Sequence, residues 1–161
     1  ETIVNRDAEI NRQYFLLVRL IRSTIMDARL ANIFNLENID ILDYRIAANT
    51  LEIAGDTVVE LSQSLIKSNL SKVELKKLHD FAKDMEEIQI KSINSFISNN
   101  RTLAIDAIRL QRNNATKISK IRSSLESKKQ ISLAFFDLIY MFEKVLQSWS
   151  DIADLVKPSY K

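Results

Sequence analysis

The sequence predicts an all-α protein, an antiparallel bundle of about five long helices. Three observations carry this. The 161 residues include one glycine and one proline, far too few for the frequent turns of a strand-rich fold. Hydrophobic residues make up 46% of the chain and recur at three- and four-residue spacing, the period of one face of a helix. The stretches between the periodic segments are short and rich in asparagine, a residue that tolerates turn geometry. The length suits one domain with a core of its own, or two small ones sharing a core.

Each element can be placed from its ends. The first helix is expected over about 5–31, with Ile10, Tyr14, Leu17, Val18, Ile21 and Ile25 in apolar register. Asparagines between 32 and 38 then break the chain. A second helix starts near Asn38, carries Leu42, Ile46, Ile53, Leu61 and Leu65, and ends at Lys67 before Ser68-Asn69. The third opens with SKVE (71–74), a capping box in which Ser71 and Glu74 satisfy each other's free backbone N–H groups, and runs to about Ser98. Asn99-Asn100 caps a fourth helix, from Arg101 to about 127. After a weak break at 128–130 a fifth helix reaches Lys157, where Pro158 stops it. Helices of this length exceed the usual ~11–12 residues, and short connections between them make neighbours antiparallel.

Composition narrows the function classes. The chain has no cysteine, which removes disulfides and thiolate metal sites and suits a cytoplasmic protein. The apolar runs YFLLVRLI (14–21) and AFFDLIYMF (134–142) are interrupted by Arg19 and Asp137. Neither approaches the ~20 apolar residues that span a bilayer, so no transmembrane segment is expected, and no signal peptide opens the chain. The first residue is glutamate, so an upstream segment is expected. Catalytic constellations are missing. His79 is the only histidine and has no Glu three residues away, as a di-iron carboxylate centre needs. A phosphate-binding loop needs a second glycine. The reading is a binding protein, not an enzyme.

An internal repeat organises the helices. LEIAGDTVVELSQSL (51–65) aligns with FEKVLQSWSDIADLV (142–156) at an offset of 91 residues, in apolar register and in the placing of acids. If the second and fifth helices are copies, so are the first and fourth. The third then has a missing twin upstream of Glu1. Self-similarity of this kind points to a duplicated unit. The expected organisation is a partial first repeat over 1–69 and a degenerate second over 70–161.

RIAANTLEIAGDTVVE (45–60) and DAEINRQYFLLVRL (7–20) resemble the two signature helices of PhoU-like phosphate-uptake regulators, the latter in the form seen in archaeal members. Leu51, Glu52, Gly55 and Asp56 match the signature itself. The resemblance implies two three-helix repeats, the first helix of repeat one lying upstream. It also implies docking onto a phosphate transporter or its sensor protein, homo-oligomers, and in archaeal relatives a small DNA-binding domain ahead of the bundle.

Candidate site residues follow from the stripe Arg45, Asn49, Glu52, Asp56, Glu60 and Gln63, which shares one side of the second helix. Like charges four residues apart cost a few tenths of a kcal/mol each if left alone. The bland reading is a solvated face. The sharper one presses this stripe against Asp7 of the first helix, so that carboxylates of two helices hold a hard or borderline cation. The resemblance implies multinuclear metal clusters and carries over to Asp7, Glu52 and Asp56, with Glu143 in the second copy. Mg²⁺, Mn²⁺, Ca²⁺, iron and Zn²⁺ are not distinguished by such donors. Asn11 and Thr57 stand where the pattern has Asp and His, and Gln147 replaces an Asp. Gly55 costs about 1 kcal/mol relative to alanine in a helix interior, so it is expected to serve close helix contact or to leave room beside Asp56.

The fourth helix is basic, and Arg112, Lys117 and Lys120 could follow a phosphate backbone. Facing the acids around 84–87 is the plainer role. The rival to the PhoU-like reading is a metal-free interaction scaffold, or part of a transcriptional regulator touching nucleic acid through that helix.

Overall fold

The computed structural model describes residues 2–126 and 132–156. They form six α-helices and no strand: α1 Thr2–Met26, α2 Ala28–Ile33, α3 Asn38–Lys67, α4 Lys72–Ser98, α5 Arg101–Glu126 and α6 Leu133–Asp154. The fold is all-α, as the scarcity of breakers requires. The expected break at 128–130 and the stop at Lys157-Pro158 lie outside the described residues.

One boundary differs from expectation. The first helix does not run to 31 but ends at Met26, and α2 restarts after Asp27. Asp27 is extended (φ −129°, ψ 101°), and its carboxylate accepts the Arg29 backbone N–H, capping α2. The same carboxylate pairs with the Arg29 guanidinium at 2.8 Å, which holds its pKa below the usual carboxylate value. An aspartate that caps the next helix outcompetes continuation of the previous one.

The asparagine turns behave as their chemistry predicts. Asn35 (φ 51°) and Asn99 (φ 47°) occupy the left-handed region, which asparagine tolerates better than most residues. Asn100 Oδ1 accepts the Leu103 N–H at 3.2 Å and starts α5. At the head of α4 the capping box is complete: Ser71 Oγ accepts from the Glu74 N–H, and Glu74 Oε2 accepts from the Ser71 N–H at 2.8 Å.

The chain divides into two compact units, Glu1–Val59 and Glu60–Lys161, with the boundary inside α3. In unit 2, α4, α5 and α6 each pack against the other two. α6 supplies Phe135, Leu138, Ile139, Phe142, Val145, Leu146, Trp149, Ile152 and Ala153, all buried. Their 3–4 spacing makes one wide apolar face. Phe142 meets Phe81 of α4 with ring centres 6.2 Å apart, and Ala104, Ala107 and Ala153 let α5 and α6 approach closely. Trp149 is thus a core residue.

Unit 1 is built differently. Ile21 and Ile41 are the only large hydrophobic side chains classed as buried among its described residues; the rest of its apolar core is Ala47, Ala48 and Ala54. Meanwhile Phe15, Leu16, Leu20, Ile25, Met26 and Phe34 are exposed, Met26 at 87%. Ile25, in register with the inward stripe, is 67% exposed because α1 ends one residue later.

Candidate functional site

Pairing of α1 with the first part of α3 sets the site. Tyr14 Oη donates to Asn49 Oδ1 at 3.4 Å, and the Arg45 guanidinium lies 5.6 Å from the Tyr14 ring centre. Ile10 packs beside Gly55. These contacts bring Arg45, Asn49 and Glu52 of the polar stripe against α1, each half-buried. The apolar positions Leu42, Ile46 and Ile53 of the same helix are exposed instead.

Glu52 feels its surroundings. Its carboxyl pKa is raised, first by burial, then by the charges of Asp56 and Asp7. Burial disfavours the ionised form, and two like charges add to that. So Asp7, Glu52 and Asp56 share one electrostatic neighbourhood. They do not converge into a ligand set: among the described residues, no group of three or more His, Asp or Glu is arranged to hold a metal ion. Asp7 already accepts from the Asn11 amide at 3.4 Å. Thr57, standing where the PhoU pattern has His, donates its hydroxyl to the Ile53 carbonyl at 2.7 Å and is buried.

Gly55 proves less constrained than its cost suggests. A Cβ built there would meet Ile10 side-chain carbons at 3.8 and 4.0 Å, ordinary van der Waals contact, and its φ lies outside the left-handed region. Neither crowding nor backbone conformation demands a glycine.

The remaining candidates lie in unit 2 and are engaged locally. Glu143 pairs with Arg122 at 2.6 Å, and Arg122 also stacks over Phe136 at 5.5 Å. Gln147 links two partners, accepting from Gln111 at 3.1 Å and donating to Asp151 at 2.7 Å. On the basic helix, Lys117 pairs with Asp84 at 2.8 Å, the facing role foreseen for it. Arg112 and Lys120 are exposed. His79 is exposed as well.

No protein-family model, curated protein or solved structure matches this chain. None of the described helices is long and apolar enough to cross a membrane. Functional inference therefore rests on the molecule's own surfaces.

The feature that the polar-stripe reading missed is apolar. One hollow of about 260 Å³ is lined by Leu17, Leu20, Ile21, Thr24, Phe34, Leu36, Ile41 and Tyr44. A second of about 160 Å³ is lined by Ile10, Gln13, Tyr14, Leu17, Ala48, Leu51 and Glu52. They share Leu17, so together they form one groove along the α1/α3 pair. The sequence signal was present in the second half of α1, where the run 14–21 is apolar at every position but Arg19, more than one buried helix face needs.

Proposed function

We propose that this protein is a non-catalytic regulator that works by docking a helix of another protein into the groove of unit 1. In the PhoU-like reading, that protein is a phosphate transporter or the sensor that controls it. One observation carries the proposal. Two long helices of unit 1 leave an open apolar groove, covered at one end only by the six-residue α2, whereas the helices of unit 2 cover one another. A groove of this kind accepts an amphipathic helix through anchors at three- and four-residue spacing. Glu52 at the rim adds a specificity element, favouring a partner helix with a lysine or arginine at the matching end. The proposal uses the groove alone and leaves the cation-holding role expected of Asp7, Glu52 and Asp56 as a separate reading.

The test is genetic and structural together. Deleting the gene in its native host should raise phosphate uptake under phosphate-replete conditions. The wild-type chain should restore control, and Leu20→Lys with Tyr44→Lys should not, although circular dichroism shows both folded. Unchanged uptake on deletion would refute the phosphate reading. Full complementation by the double variant would refute the groove.

A further inference from the structure

The break between α1 and α2 contains no helix breaker. From Ser23 to Phe34 the chain has neither glycine nor proline, and Met26, Ala28, Arg29, Leu30 and Ala31 are all strong helix formers. A helix stopped in such a run needs a specific cause. The cause is one side chain. Asp27 is extended, and its carboxylate accepts the Arg29 N–H at 3.0 Å and the Arg29 guanidinium at 2.8 Å. At the other end of α2, Asn35 takes the left-handed conformation and the Leu36 N–H reaches the Ala31 carbonyl at 2.9 Å.

The segment between these caps is weakly held. α2 has six residues and none of them is buried, and a helix so short is unstable by itself. Ile25, Met26 and Ile33 are 67%, 87% and 74% exposed, so the broken form hides little apolar surface at the junction. Yet α2 positions part of the groove. Phe34 and Leu36, which follow it directly, line the 260 Å³ hollow together with Leu20 and Thr24.

We propose that Asp27 is a hinge, at which α1 and α2 exchange between two forms. In the broken form Phe34 and Leu36 close one end of the groove. In the other, a continuous helix runs from Thr2 to Ile33 and that end stands open. Taking the groove as the docking site proposed above, the continuous form admits a longer partner helix, and the Asp27 cap regulates how often it is available. An aspartate cap favours the helix it starts by a factor of roughly 2 to 30, a margin that one substitution removes.

The chain length permits both forms. Tyr14 bonded to Asn49 and Ile10 beside Gly55 set Met26 level with Asn38. A continuous helix carries Ile33 about 10 Å past that level. With helices packed about 8–10 Å apart, Ile33 then lies about 14 Å from Asn38, and the residues between them extend to about 17 Å. Phe34 leaves the hollow because it follows Ile33 directly.

The chain has no cysteine, so nitroxide labels on Glu9→Cys and Asn32→Cys, both exposed, read the hinge by double electron–electron resonance. Their separation is about 35 Å along a continuous helix and shorter when α2 turns aside. Asp27→Ala should make the long distance the main one, without loss of helix by circular dichroism. Asp27→Asn, which still caps, should keep the short one. Thr24→Cys reads the closure, since Thr24 lines the hollow and is 4% exposed. Its maleimide labelling, as the only cysteine, should quicken at least fivefold when Asp27→Ala is added, and likewise when Phe34→Ala removes the wall directly. An unchanged short distance in Asp27→Ala, or a loss of helix there, overturns the hinge. A long distance without faster labelling overturns the closure. Neither result touches the groove itself, which stands or falls on complementation by Leu20→Lys with Tyr44→Lys.

Discussion

Units 1 and 2 are made from the same kind of helix and solve the burial problem in opposite ways. In unit 2 three helices enclose one another, and the largest side chains of α6 are withdrawn almost completely from water. In unit 1 two long helices meet through tyrosine, asparagine, arginine and glutamate, with alanines elsewhere, and much of the apolar surface stays outside. A helix pair alone cannot bury both of its apolar sides. The difference teaches where to look first: unit 2 spends the apolar face of α6 on its own core, whereas unit 1 leaves an apolar groove open between two helices.

Mutations should separate the units. Phe142→Ala, in the middle of unit 2, is expected to cost about 3–5 kcal/mol by urea denaturation, the range for truncating a buried aromatic. Leu20→Ala, on the open groove, should cost under about 1 kcal/mol. Comparable losses at the two positions would erase the distinction. Ser71→Ala removes the capping box of α4 and should cost about 1 kcal/mol; an unchanged midpoint would mean that the cap is idle. Gly55→Ala should stabilise by up to about 1 kcal/mol, because a helix interior favours alanine and the space accepts a methyl group. A destabilised Gly55→Ala would reveal a constraint at the α1/α3 contact that the spacing to Ile10 does not show.

The smallest effect concerns Glu52. Its folded-state pKa is raised by burial, Asp56 and Asp7, so folding favours the protonated carboxyl. That contribution is present below the unfolded carboxyl pKa and is lost as pH rises through the raised one. At neutral pH the ionised group opposes folding, and Glu52→Gln should raise the thermal midpoint slightly. Below the carboxylate range the gain should vanish. A neutral-pH loss in Glu52→Gln, or a Mg²⁺- or Mn²⁺-dependent stabilisation that this change abolishes, would restore the metal reading.

Much of this was legible in the sequence, for identifiable reasons. The α3 boundaries at Asn38 and Lys67, the capping box at Ser71 and the left-handed Asn99 depend on local chemistry, which a sequence carries openly. That Glu52 and Asp56 lie on one face of α3 was legible too, because four-residue spacing fixes it. The interruption at Asp27 was hidden, since the apolar period runs straight through it and only a cap gives it away. Partners that depend on how two helices register could not be read. Glu143 binding Arg122, and Gln147 binding Gln111, both arise from the packing of α5 against α6. The apolar stripe expected to be the buried side of α3 is not the side that meets α1: the pairing leaves Leu42, Ile46 and Ile53 exposed.

Amide hydrogen exchange, followed residue by residue on the chain, tests the contrast most directly. Amides of α1 and the first part of α3 should exchange at least tenfold faster than those of α4 and α6 in dilute solution, because fewer buried contacts hold them. Equal protection of both units would contradict the account.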